Sequence, residues 1–308
     1  MTHVQVTYLI FSVVLILAVV FDLGLLSKKN TQVSIRKALY QTSFWVFLAL
    51  AFFGFLWFEE GHKIAIEYLS AYLMEWSLSI DNIFVFILIF TFFSVREQYY
   101  ARVLLIGILL AVVLRFIFIS IGIALVEEFH WVLYIFGAIL TYTGVAMFRA
   151  KENEMDLERN RVYILLRRFL PLTTEDAGGR FSVVKNHKKY YTNIMVVVIL
   201  LATTDLVFAL DSIPAVFGIS QNRLVIYTSN IFAVLGLRSL FFLLKGAVNK
   251  FRYLQHGIAT VLIFIGLKML VEVVGVFVPV FISLIVISVC ISLSIVFSLA
   301  ANNEEKNW

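Results

Sequence analysis

The chain has 308 residues, 61% of them hydrophobic and 15% charged, with a mean hydropathy of +0.94. That is too much apolar sequence for a soluble domain to bury, so the class is a polytopic membrane protein. The formal net charge of +5 does not point to nucleic acid, because the basic residues sit in short segments between apolar runs, and the single cysteine, Cys290, excludes an intramolecular disulfide framework and a cysteine-rich metal site.

The first apolar run covers 4–26. Its start carries no Lys or Arg and its length exceeds a signal-peptide core, so it is read as a retained span. Asp22 closes this run close to Lys28 and Lys29 and reads as an interfacial residue or as part of a cytoplasmic entrance. Further runs at 38–58, 66–93, 103–125, 131–148, 190–212, 222–244, 257–277 and 280–300 are each long enough for the roughly 20-residue requirement of a helical span. The expected fold is therefore all-α, with nine transmembrane helices.

The positive charges orient these helices. Of the 25 Lys and Arg residues, twenty fall in the segments 27–37, 94–102, 149–189, 245–256 and the C-terminal tail. Lys63 and Arg223 alone occupy the alternate set of connections, while Arg115, Arg238 and Lys268 lie inside runs. The positive-inside rule then puts the N-terminus outside and the C-terminus in the cytoplasm. Residues 149–189 are the one long hydrophilic segment. Val162, Leu165, Leu166 and Phe169 recur there at helical spacing among arginines, which predicts a basic amphipathic helix on the cytoplasmic leaflet that stops before Pro171. The stretch Thr174-Glu-Asp-Ala-Gly-Gly reads as flexible.

The halves on either side of this linker match. Glu75-Trp-Ser-Leu-Ser-Ile-Asp81-Asn82 returns as Asp205-Leu-Val-Phe-Ala-Leu-Asp211-Ser212, each with two acids six residues apart. The stretch Gly107 to Arg115 corresponds to Asn230 to Arg238, and Gly144-Val-Ala-Met147 to Gly266-Leu-Lys-Met269. Each copy holds three spans, an odd number, so the second enters the bilayer from the opposite side. Such inverted repeats place transporter sites near the midplane. The organisation read from this is an N-terminal two-helix segment at 1–65, a first repeat at 66–148, the linker at 149–189, a second repeat at 190–277, and a last helix with its tail at 278–308.

A charged side chain at the bilayer centre costs about 2.5–3.5 kcal/mol on insertion scales, so four acids there need a function. Six residues on a helix turn through about 600° and rise about 9 Å, so the two acids of one helix do not point at one ion. Glu75, Ser79 and Asn82 share one stripe with Asp81 beside them, forming a polar arc. Pro214, three residues after Asp211, removes the hydrogen bond to the Leu210 carbonyl and predicts a kink or break that frees carbonyl ligands. The two arcs facing each other would surround one cavity with Glu75, Asp81, Asn82, Asp205, Asp211 and Ser212. Carboxylate, amide and carbonyl oxygens without histidine suit Mg²⁺, Ca²⁺ or Mn²⁺ rather than zinc or copper, and sequence does not rank the three.

Arg115, Arg238 and Lys268 set three positive charges against the four acids. They read either as structural ion pairs between helices or as partners that hold the acids until a cation arrives. Lys268 matches Ala146 in the other repeat and so breaks the symmetry. Burial disfavours charge on acids and on a lysine alike, which makes exchange of protons for metal chemically natural. The runs and loops show no nucleophile beside a base, which argues against an enzyme.

These motifs carry a resemblance. The Glu75-Trp-Ser-Leu-Ser-Ile-Asp-Asn and Asp205-Leu-Val-Phe-Ala-Leu-Asp-Ser-Ile-Pro-Ala stretches, Arg238, Gly-Leu-Lys268-Met and Phe21-Asp-Leu-Gly resemble the TerC family of integral membrane proteins, which includes the Alx-type manganese exporters. The resemblance covers almost the whole chain. It implies Mn²⁺ efflux across the bacterial cytoplasmic membrane, with Mn²⁺ as the transported ion, no permanently bound cofactor, and the two acidic motifs as the metal path. The rival readings are a membrane scaffold or assembly factor with structural ion pairs, since a plant relative is associated with inserting thylakoid membrane proteins, and a Ca²⁺/H⁺ exchanger.

Overall fold

The computed structural model describes residues 3–26, 33–149, 171–173, 178–185, 188–245, 253–272, 275–276 and 278–305. Among them are nine helices of 18 residues or more: α1 His3–Leu26, α2 Ile35–Glu59, α3 His62–Phe92, α4 Glu97–Glu128, α5 Val132–Arg149, α6 Asn193–Ile219, α7 Arg223–Leu244, α8 Leu254–Val271 and α9 Val280–Glu305. Stretches of α2, α4, α6, α7 and α9 are long and apolar enough to cross a membrane, and α1, α5 and α8 carry shorter apolar stretches.

Local chemistry sets the helix ends. The Ser34 hydroxyl accepts from the Lys37 amide at the start of α2, and the Asn222 side chain accepts from the Leu224 amide at the start of α7, each satisfying a donor the first turn leaves unpaired. Between α2 and α3 the chain reverses through Gly61, whose φ of +92° a side chain would resist. The amides of Glu60 and Gly61 both bond the Leu56 carbonyl, closing α2.

The exposed periphery is apolar. Leu9, Ile16, Leu17 and Val20 of α1 and Phe281, Val289, Val296 and Phe297 of α9 face outward, which suits lipid rather than water because apolar side chains cover a backbone whose polar groups, away from the helix ends, are paired. At the centre stands α7, buried along most of its length and packed against α2, α3 and α4. Around it α6 packs on α3, α4 and α5, and α8 on α5 and α9. A methyl group added at Gly137 would lie 3.0 Å from the Gly266 carbonyl oxygen, and one at Gly144 2.7 Å from that of Ala259. Helices α5 and α8 are thus antiparallel, in a backbone contact that these glycines permit.

Two features differ from expectation. The connection between the halves carries a three-stranded sheet, with β1 Leu172–Thr173 parallel to β3 Lys188–Thr192 and β2 Ser182–Lys185 antiparallel to it. β-Branched and aromatic residues in Ser-Val-Val-Lys and Lys-Lys-Tyr-Tyr-Thr favour the pairing. The sheet region docks on α4, where Arg102 donates to the Gly179 carbonyl at 3.3 Å and covers the Phe181 ring at 4.7 Å. The amphipathic helix expected before Pro171 lies outside the described residues. Second, α6 starts only at Asn193 and runs on through Pro214 to Ile219 as one helix, so the expected break is not present.

Candidate cation-binding site

Arg115, on α4, projects into the bundle where α3, α4, α6 and α7 meet. Its Nε donates to Asp205 Oδ2 at 2.7 Å and its Nη2 to Asp205 Oδ1 at 3.2 Å, a two-pronged grip from α4 to α6. Nη1 donates to Glu75 Oε2 on α3 at 2.7 Å and to Asn230 Oδ1 on α7 at 2.9 Å, with Ser212 Oγ on α6 at 3.5 Å. Asn82 closes the ring, giving Nδ2 to Asp205 Oδ1 at 3.2 Å. Relative exposures of 4% for the Arg115 side chain, 0% for Glu75 and 1% for Asp205 place the whole network out of solvent.

The geometry follows from helix periodicity. Glu75, Ser79 and Asn82 fall at i, i+4 and i+7 and line one stripe of α3. Each keeps one buried oxygen without a hydrogen-bond partner among the described residues: Glu75 Oε1, Ser79 Oγ and Asn82 Oδ1. Buried polar atoms are nearly always paired, and a free carboxylate oxygen in a dry site costs more than a neutral one. Three such oxygens along one stripe form a set of hard donors of the type that Mg²⁺, Ca²⁺ and Mn²⁺ accept. Glu75, Asp205 and Arg115 together carry a formal charge of −1, so the cluster retains negative charge even with the guanidinium in place. No group of three His, Cys, Asp or Glu side chains able to hold a metal occurs among the described residues. The unpaired oxygens on α3 therefore come from three residue types, only one of them acidic.

The sequence-derived residues divide among several places. Glu75, Asn82, Asp205, Ser212 and Arg115 meet in this network. Asp81 and Asp211 lie on α3 and α6, but their side chains, and that of Asp22, lie outside the described residues. Arg238 is buried on α7 at 5% exposure and engaged in an interaction of its own. Lys268 stands apart: its Nζ donates to the Gly218 carbonyl at 2.9 Å and reaches Ser283 Oγ at 3.4 Å. Nearby, Ser220 donates its hydroxyl to Glu67. Glu67 precedes Glu75 by eight residues, about 12 Å along α3, so this second polar cluster lies nearer the helix end.

Sequence reasoning gave Asn230 no role, although its match to Gly107 marked a position where one repeat carries an amide and the other does not. Glu67 was legible as an acid inside the 66–93 run, and its short distance from the predicted end of the span concealed it.

The profile of the integral membrane protein TerC family matches residues 60–306. An uncharacterized membrane protein of Myxococcus xanthus, STKORF319, is 42% identical over 278 residues, covering 90% of this chain and 87% of the relative. An uncharacterized membrane protein of Rickettsia felis is 37% identical over 297 residues, 96% of this chain and 98% of its own. The Escherichia coli protein named provisionally as the membrane-bound redox modulator Alx is 39% identical over 270 residues, 85% of this chain and 84% of its own. No solved structure matches the chain.

Proposed function

This chain belongs to the TerC family of integral membrane proteins, and on that footing we propose that it is a secondary transporter that exports a divalent cation, Mn²⁺, from the cytoplasm by alternating access. The observation that carries this reading is the row of unpaired buried oxygens on Glu75, Ser79 and Asn82 beside the Arg115 network. A site that leaves hard oxygens unpaired in a dry interior is poised for a ligand that supplies positive charge.

In the mechanism we infer, Arg115 acts as a tethered cation in the unloaded state. It offsets one of the two negative charges on Glu75 and Asp205 and keeps the four helices together. An arriving divalent cation takes Glu75, Ser79, Asn82, Asp205 and Ser212, with Asp81 and Asp211 from the same two helices, and the guanidinium gives up one carboxylate at a time. Asn230, already holding Nη1, is where the displaced arginine remains anchored. The donor set is compatible with Mg²⁺ and Ca²⁺ as well, and the choice of Mn²⁺ rests on the family resemblance. Protons returning to the carboxylates after release would complete the cycle.

The architecture in this proposal is nine spans with the N-terminus outside, in the cytoplasmic membrane of a bacterium, with two inverted repeats. Two glycine contacts support the repeat. Under the match of Gly144 to Gly266, Gly137 corresponds to Ala259, so the contacts Gly137 to Gly266 and Gly144 to Ala259 exchange with one another, as a two-fold axis between α5 and α8 requires. The packing of α4 on α6 and of α3 on α7 exchanges in the same way.

A second reading is a membrane scaffold whose ion pairs only hold helices together, and the two-pronged Arg115 grip on Asp205 favours it. Total cell manganese after a Mn²⁺ load separates the two, in cells with no copy, the wild type, or Asp205→Asn inserted at equal level. Lower manganese with the wild type alone supports export through the network. Equal manganese in all three removes export and leaves the scaffold.

A further inference from the structure

A cavity of about 590 Å³ opens between α1, α4 and α7. Phe11, Ile123 and Ile231 form its apolar wall, and Tyr8, Ser12, Ser120 and Tyr227 also line it. At its mouth Arg223, opening α7, pairs with Glu127, closing α4, through Nε to Oε1 at 2.8 Å and through a second bond from Nη2. Both side chains are half exposed, at 59% and 50%. The pair lies at the connections between α4 and α5 and between α6 and α7, which the charge distribution assigns to the outer face.

The inner end of this cavity is close to the Arg115 network. A void of about 10 Å³, room for about one water molecule, is lined by Arg115 and Asn230 themselves and by Phe116, Tyr227 and Ile231. The last three also line the large cavity. Phe116 follows Arg115 directly in sequence, and Tyr227 precedes Asn230 by three residues, about one helical turn. The walls shared by the two spaces are Phe116, Tyr227 and Ile231; the Phe116 and Tyr227 ring centroids lie 5.0 Å apart, and a 2.8 Å hydrogen bond joins Ser120 Oγ to the Tyr227 hydroxyl.

We propose that this cavity is the outward exit vestibule for the transported divalent cation, and that Tyr227, with Phe116 and Ser120, forms its gate in the closed position. The inference rests on the transport reading above and adds the route and the gate. Hydroxyls at four positions suit a cation that leaves with much of its water shell. Glu127 supplies an anionic group at the mouth, and its pairing with Arg223 prevents it from retaining the ion. Helix α1 forms the movable wall: its packing against the bundle is sparse beside that of the central helices, and its outer face is apolar and suited to lipid.

The test uses the full-length protein in a Cys290→Ser background, with single cysteines at Ala124, which lines the cavity, and at Glu128, which does not. Intact cells are treated with a membrane-impermeant cationic thiol reagent and Mn²⁺ export is then measured. The proposal expects both cysteines to be labelled from outside, and export to fall at least fivefold for Ala124→Cys while Glu128→Cys is unchanged. Labelling at Ala124→Cys with no loss of export overturns it. So does labelling at Glu128→Cys with none at Ala124→Cys, or labelling of neither until the membrane is permeabilised. Absence of export before any labelling, in wild type and variants alike, overturns the transport reading and the exit route with it. Blocked export by reagent at Ala124→Cys cannot coexist with that outcome, so the two failures are distinct.

Discussion

Arg115 and Asp205 are joined by two hydrogen bonds, Nε to Oδ2 at 2.7 Å and Nη2 to Oδ1 at 3.2 Å, between helices that stand 90 residues apart in sequence. The planar guanidinium matches a carboxylate edge in this way, which the ammonium of lysine does not. Its remaining amino group holds Glu75 and Asn230, so one side chain ties α3, α4, α6 and α7 together.

Removing that side chain leaves two buried carboxylates without their counter-charge. Arg115→Ala is expected to destabilise the protein by about 3–5 kcal/mol, read as an earlier unfolding midpoint in detergent. Arg115→Lys restores the charge but only part of the stability, because it cannot bridge the same partners.

Ser79 separates stability from function. Its hydroxyl is buried without a hydrogen-bond partner among the described residues, so Ser79→Ala removes an uncompensated polar group and is expected to leave the unfolding midpoint equal or higher. Loss of one cation ligand is expected to weaken Mn²⁺ binding about tenfold, equivalent to about 1.4 kcal/mol, in a titration of the purified protein. Weaker binding together with lower stability would make Ser79 a structural residue.

Among the described residues the two polar clusters share no hydrogen-bond partner. A double-mutant cycle between Lys268→Met and Asp205→Asn is therefore expected to be additive within about 0.5 kcal/mol, while Arg115→Ala with Asp205→Asn is expected to show a coupling of about 0.5–3 kcal/mol. Unfolding of the single and double variants measures both.

Glycine contacts give a test of the α5 and α8 packing. A methyl group at Gly144 would meet Ile263 Cγ1 at 2.6 Å and the Ala259 carbonyl oxygen at 2.7 Å, whereas one at Gly54 would meet nothing within 4 Å. Gly144→Ala is expected to cost about 1–3 kcal/mol by overpacking. Gly54→Ala, in the interior of α2, is expected to stabilise by about 0.4–1 kcal/mol through the unfolded chain.

The site was legible in sequence where periodicity does the placing. Glu75, Ser79 and Asn82 could be put on one stripe because a helix repeats every 3.6 residues, and the matched acids at 205 and 211 named the partner helix. What remained hidden depended on packing between helices. Nothing in the spacing says that Arg115 crosses to Asp205 and Asn230, or that Lys268 points to the Gly218 carbonyl in a separate cluster with Glu67 close by. The sheet at 172–192 escaped because its strands are two to five residues long and sit in a polar segment with no alternating pattern of useful length. Of the kink or break expected at Pro214, the break does not occur. The proline removes one backbone bond, but α6 continues through it, as helices held by close neighbours in membranes can.

Passage of a divalent cation through the buried Glu75, Asn82 and Asp205 cluster is measurable as Mn²⁺ accumulation in inside-out membrane vesicles. These would carry the wild type, Glu75→Gln, Asp205→Asn or Lys268→Met at equal protein levels. Uptake is expected with the wild type, at least tenfold slower uptake with Glu75→Gln and Asp205→Asn, and retained Mn²⁺ binding in Lys268→Met, whose cluster lies away from the α3 oxygens. Uptake by Asp205→Asn and Glu75→Gln at the wild-type rate would contradict passage through this cluster.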